Sequence, residues 1–173
     1  ESNFRFEESD IPQPGDNQVL VKNHWLSLDP YMRGRMSDAK SYAKSVEINE
    51  VMVGGCAGEV VKSNHPKFAP GDKVVGALGW QLYGVADGNA LQKVDASMIP
   101  LSAYLGPVGM PGVTAWVGLN DICAPKEGET VVVTAASGAV GSVVGQLAKQ
   151  KGARAVGIAG GAELLAGGTD LPA

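Results

Sequence analysis

The chain runs to 173 residues, 45% of them apolar, with a formal net charge of −4. That length holds one domain, or one and part of a second, and the composition excludes a disordered polymer. The 14 lysines and arginines are scattered rather than striped, which excludes the basic footprint of a nucleic-acid binder.

The opening ESNFRFEESD (1–10) is acidic, with neither a basic end nor an apolar centre, so no secretory signal is read there. Phe4 and Phe6 alternate with polar neighbours, as do Val19 and Val21, while GEVVKS (58–63) and DKVVGALG (72–79) are apolar runs of strand length. A small β-barrel or sandwich is therefore expected over residues 1–105. PQPGDN (12–17) and FAPGDK (68–73) each set Pro before Gly, the pair a type II turn uses, because Pro fixes φ and Gly takes the positive φ that follows. Cys56 and Cys123 lie far apart without metal-type spacing and point to a reducing cytoplasm. Cys56 reads as a small buried residue, and His24 and His65, without a carboxylate pattern nearby, read as surface or turn residues. Gly and Pro cluster in LGPVGMPGVTAWVGL (105–119), which sets a domain boundary near Leu105 and a helix from Val113 to about Ile122.

After APKEGE (124–129) comes the strand TVVVTA (130–135) and, overlapping it, AASGAVG (135–141). Gly138 and Gly141 occupy the second and third places of a G-x-G-x-x-G turn, with Ala136 in the first. In such a turn the second Gly lets the backbone approach a pyrophosphate, the third lets helix pack on strand, and the helix N-terminus supplies free N–H groups. Val140, Val143, Val144, Leu147 and Ala148 share one helical face, and Lys149 and Lys151 sit where the helix dipole favours cations. A second strand, Ala155 to Ala159, completes a βαβ unit. Alone, the glycine turn fits either a dinucleotide cradle or a tight connection that binds nothing; the strand before it and the helix after it favour the cradle. The uncharged run 131–148 reaches membrane-span length, but its glycines and its Thr134, Ser137, Ser142 and Gln146 fit strand, turn and helix better, so no membrane partner is expected. Gly160 and Gly161 stand where a carboxylate would hold the ribose of NAD, and Arg154 lies at the wrong end of the strand to select a 2′-phosphate. The turn by itself leaves NAD or NADP open.

LDPYMRGRM (28–36), GPVGMPGVTAWVGL (106–119), KEGETVVVTAASGAVGSVVGQLAKQKG (126–152) and GIAGGAE (157–163) resemble the zinc-independent branch of the medium-chain dehydrogenase/reductases, in its prostaglandin reductase, leukotriene B4 12-hydroxydehydrogenase and curcumin reductase group. The resemblance implies an α/β protein: a GroES-like β-barrel domain over 1–105, then the beginning of a Rossmann domain over 106–173. It further implies a cytoplasmic oxidoreductase, a homodimer or other homo-oligomer, that takes NADP(H) and a small α,β-unsaturated carbonyl. The carbon–carbon double bond would be reduced by hydride transfer to the β-carbon, without metal. Carried over by position, Gly138, Ala139, Val140 and Gly141 would touch the pyrophosphate, and Met110 and Thr114 would line the nicotinamide pocket between the domains. Tyr31 would face the substrate, its phenol orienting a carbonyl, or pack as an aromatic at a domain edge.

GGCAGE (54–59) stands where the zinc-dependent relatives resemble G-H-E-x-x-G, and a four-cysteine cluster is absent, so no metal is expected. The family pattern continues through further βα units, with a basic residue for the 2′-phosphate after Glu163; here Leu164 follows, and LLAGGTDLPA (164–173) departs from the pattern. A lone pair of parallel strands would expose edges and apolar faces, so this chain by itself is expected to be marginal or oligomeric. A catalytically incomplete piece acting at most as a binding module, and a quinone reductase of the same branch, remain as alternatives.

Overall fold

The computed structural model describes residues 3–38 and 40–160. The chain divides into two compact units, Glu1–Ser102 and Ala103–Ala173.

The first unit is built on β1 (Gln18–Leu26), β2 (Gly55–Ser63), β3 (Lys73–Ala77), β4 (Tyr83–Asp87) and β5 (Gln92–Lys93), with a short helix α1 (Tyr31–Arg35) after β1. These strands form one antiparallel sheet in the order β4-β1-β2-β3-β5. The expected barrel is not closed: among the described residues the edges β4 and β5 do not pair, and β5, two residues long, offers too little ladder to seal one. Val19 and Val21 of β1, Cys56 and Val60 of β2 and Val74 of β3 form the core, with Phe68, Leu78 and Leu91 packed beside them. Leu20, between the two valines, is also buried, as suits an internal strand with paired neighbours on both sides.

Of the local expectations in this unit, two change and one holds. Phe4 and Phe6 belong to no strand; Phe4 stacks on Trp80 with ring centroids 5.4 Å apart, and Phe6 is fully exposed. Alternation alone makes no strand where no neighbour supplies a ladder. In FAPGDK, Gly71 takes φ 93 and the Asp72 N–H donates to the Ala69 carbonyl at 3.1 Å, as a Pro-Gly turn requires. In PQPGDN the positive φ falls instead on Asn17, at 58, while the Gln18 N–H closes onto the Gly15 carbonyl at 3.1 Å. Asparagine tolerates that left-handed conformation, so the turn sits further along the chain than the Pro-Gly pair indicates.

The histidines also separate. His65 is in a turn but buried: its Nδ1 accepts from the Lys67 N–H at 3.2 Å and its ring tilts against Phe68. His24 is exposed on β1, with Nε2 4.0 Å from Glu59 Oε2 on β2, so a carboxylate does stand beside it.

In the second unit, helix α2 (Met110–Val117) runs into a π-helical turn at Gly118–Cys123. It begins before the expected Val113 because Pro111 occupies the first turn, where its missing N–H is not needed. β6 (Thr130–Thr134), α3 (Gly141–Gln150) and β7 (Arg154–Ile158) then form a βαβ unit, β6 and β7 pairing in parallel from Thr130↔Arg154 to Thr134↔Ile158. Val131, Val133 and Ala155 are buried with Ala148 of α3 and Leu119, while Val132 and Ile158 remain exposed. Of the predicted helical face, Val144 and Leu147 pack against that core, and Val140, at the margin, is exposed. Among the described residues no helix is long and apolar enough to cross a membrane.

Candidate functional site

In the first unit the candidate chemistry gathers at α1. Tyr31 opens this turn of helix and Arg35 lies one turn on, the i, i+4 spacing that brings side chains together. The Arg35 guanidinium carbon stands 5.7 Å from the Tyr31 ring centre and 5.3 Å from that of Tyr42. Burial raises the Tyr31 phenol above its ordinary value; Asp29 raises it further and Arg35 opposes the rise. As an ordinary phenol would, it keeps its proton at neutral pH and is a hydrogen-bond donor. Beside α1, a largely apolar hollow of about 330 Å³ is bordered by Leu28, Pro30, Met32, Met36 and Trp80, with Asp29 and Arg33 also in its lining. The Trp80 indole Nε1 is buried with no hydrogen-bond partner among the described residues.

Cys56 lies in the core beneath the same region. Its thiol donates to the Gly79 carbonyl at 3.2 Å, and burial pushes its pKa up. A buried, protonated thiol is neither nucleophile nor metal ligand. Among the described residues, no three His, Cys, Asp or Glu side chains come together as a metal site.

In the second unit the connection from β6 to α3 carries the glycines. Gly141 is obligatory by contact: a Cβ there would lie 2.3 Å from the Ala135 carbonyl oxygen. At Gly138 the nearest atom to such a Cβ is the same oxygen at 3.1 Å, so this position is crowded on one side only. The turn is held by the Gly138 N–H on the Ala135 carbonyl at 2.9 Å and by the Ala136 N–H on the Ile158 carbonyl at 3.0 Å. Ala135, one residue before the first motif place, absorbs the sharp reversal with φ 51, unusual for a residue with a Cβ. Ala139 and Val140 are exposed, and their N–H groups find no backbone carbonyl among the described residues. Exposed amides before a helix N-terminus, on a backbone that a Cβ would obstruct, suit the phosphates of a dinucleotide.

Met110 and Thr114 come together on α2: the Thr114 hydroxyl donates to the Met110 carbonyl at 2.8 Å, and both are exposed. Gly160 is exposed beyond β7, whereas Gly161, Glu163 and Leu164, on which cofactor choice was expected to turn, lie outside the described residues. Sequence inspection missed Arg35, although its i, i+4 spacing from Tyr31 was available. It also missed Tyr42 and Trp80, which no short motif connects to α1.

An antiparallel sheet with this helix, and a parallel βαβ unit with this glycine turn, have a common counterpart among known proteins. The N-terminal domain of oxidoreductase matches residues 1–94, and the chain belongs to that family, within the medium-chain dehydrogenase/reductases. It is 54% identical over 169 residues to the NADPH-dependent curcumin reductase of Escherichia coli (strain K12), covering 98% of this chain and 49% of that protein. To prostaglandin reductase 1 of Rattus norvegicus it is 46% identical over 169 residues, covering 96% of this chain and 49% of the relative. Among solved structures, CurA in complex with NADPH from Vibrio vulnificus aligns with a TM-score of 0.85 at 53% identity, over 94% of this chain and 48% of that one. The chain thus spans about half the length of the curated relatives it matches.

Proposed function

We propose that the protein containing this chain is an NADPH-dependent reductase of the carbon–carbon double bond of α,β-unsaturated carbonyl compounds. The observation that carries the reading is the β6–α3 turn, where a Cβ at Gly141 would lie 2.3 Å from the Ala135 oxygen and the amides of Ala139 and Val140 lie open. Its support in the comparisons is that the relatives are named as reductases of curcumin and prostaglandins, and that a neighbour at 53% identity was solved with NADPH.

In this reading Gly138, Ala139, Val140 and Gly141 hold the pyrophosphate through backbone N–H groups, and Met110 and Thr114 contact the nicotinamide end. NADPH, when bound, supplies the hydride. The chain's own contribution is positioning and polarisation. Tyr31, protonated at neutral pH as a phenol is, donates a hydrogen bond to the substrate carbonyl oxygen and so favours negative charge there as the β-carbon is reduced. The first unit is the substrate domain, of GroES-like type, and the second begins the Rossmann domain. No metal takes part, and the protein is a cytoplasmic homo-oligomer.

The test is NADPH consumption by the full-length protein with a 2-alkenal. Oxidation that requires the conjugated double bond supports the reading. Equal rates with a saturated aldehyde, or no saturable NADPH binding, overturn it.

A further inference from the structure

We propose that Arg35 is the positioning residue for Tyr31, fixing the phenol's orientation by standing between the rings of Tyr31 and Tyr42; this rests on the reductase reading above. The guanidinium is planar and approaches both rings, at 5.7 Å and 5.3 Å from their centres. Cation–π attraction and flat stacking both favour arginine over lysine in such a place. Among the described residues no carboxylate pairs with it. Its polar contact is instead to backbone: Nη1 donates to the Lys44 carbonyl at 3.1 Å.

The same segment is tied a second time to α1 and once to the residues just after it. The Val46 N–H donates to the Arg35 carbonyl at 2.8 Å, and the Ser45 hydroxyl donates to the Ser37 carbonyl at 2.6 Å. Arg35 is thus held through its backbone and its side chain, while the phenol of Tyr31 has no hydrogen bond of its own to fix it among the described residues. Tyr42 is 84% exposed, so its ring closes the far side of the guanidinium without being part of the core. The arrangement sets the Tyr31 ring against a guanidinium that is itself tied to the backbone.

The groups that act on the Tyr31 phenol are Asp29, Arg35, Tyr42 and Cys56, and of these only Arg35 lowers its pKa. Losing the Arg35 charge should therefore move the Tyr31 titration to higher pH. The experiment follows that titration by NMR in the full-length protein with ring-labelled tyrosine, assigned with Tyr31→Phe, alongside kinetics with NADPH and trans-2-hexenal. Arg35→Met is expected to move the titration upward and to lower kcat roughly tenfold, with KM for NADPH within about twofold. Arg35→Lys, which keeps the charge and loses the plane, should leave the titration near its original place and kcat still reduced. An Arg35→Met protein with the phenol titration and kcat both unmoved overturns the proposal. Should that variant fail to fold, Tyr42→Leu decides, because its site is at the surface: reduced kcat supports the clamp and unchanged kcat overturns it. Absence of enone reduction by the unsubstituted protein overturns the parent reading and this proposal's catalytic part, while the titration still reports whether Arg35 governs the phenol.

Discussion

The first unit builds its candidate site from side chains that are present, whereas the second builds its own from side chains that are missing. Around α1, a phenol, a guanidinium and a largely apolar hollow bring side-chain chemistry together. At the β6–α3 turn, the groups that would suit a phosphate are the backbone amides of the exposed Ala139 and Val140, beside glycines at which a Cβ would crowd the Ala135 carbonyl. The difference teaches that substitutions should fail differently: in the first unit by losing a functional group, in the second by gaining an atom.

The largest effect expected from that contrast is at Gly141. Gly141→Val sets a branched side chain against the Ala135 carbonyl, costing about 1–3 kcal/mol in strain and abolishing NADPH binding, as thermal melting and calorimetry of the full-length protein would show. Retention of both would break the contrast. Gly138→Val should be gentler on the fold, because its crowding is one-sided, yet still weaken NADPH binding at least tenfold by covering the amides; unchanged affinity would remove the turn from the cofactor site.

In the first unit, Tyr31→Phe deletes one hydroxyl. It should lower kcat by roughly 10²-fold and leave NADPH affinity and melting temperature nearly untouched, measured by steady-state kinetics and binding titration. An unaffected rate would return Tyr31 to packing.

The smallest effect is electrostatic. A hydrogen bond from Lys93 and the Ala69 N–H hold the Asp72 carboxyl below its ordinary range, and Lys73 does the same for Glu59. Because both folded-state values are depressed, their contribution is full above the ordinary carboxylate range and is lost as pH falls through the depressed values. Acid melting of the first unit should therefore be partly relieved in Asp72→Asn, with a smaller starting stability at neutral pH. An unchanged acid midpoint would show that this pair is fully screened.

Much of the second unit was legible because its signals are local. Strand, glycine turn and helix follow one another without interruption, and Gly141 has a steric reason to lack a Cβ in its contact with the Ala135 carbonyl. The first unit was legible in its strands and less so in its closure. Its sheet depends on pairings between distant segments, such as Val19↔Ser63 and Val74↔Lys93, and no local pattern states where the edge stops. Phe4 was misread for the same reason, and His65, in a turn as expected, is buried there rather than at the surface. The first finds Trp80 and the second finds Phe68 within its own turn, and alternation or isolation in sequence says nothing of either contact. Tyr31 could be named from its motif, but its environment comes from Asp29, Arg35, Tyr42 and Cys56, two of which arrive from segments beyond that motif.

The two thiols give the protein a built-in clock. Cys123 is open to reagent in the folded chain, whereas Cys56 is sealed in the core of the five-stranded sheet with its S–H turned toward Gly79. Alkylation at Cys56 must wait for the strands around it to part, so its rate counts how often that half of the molecule opens under native conditions.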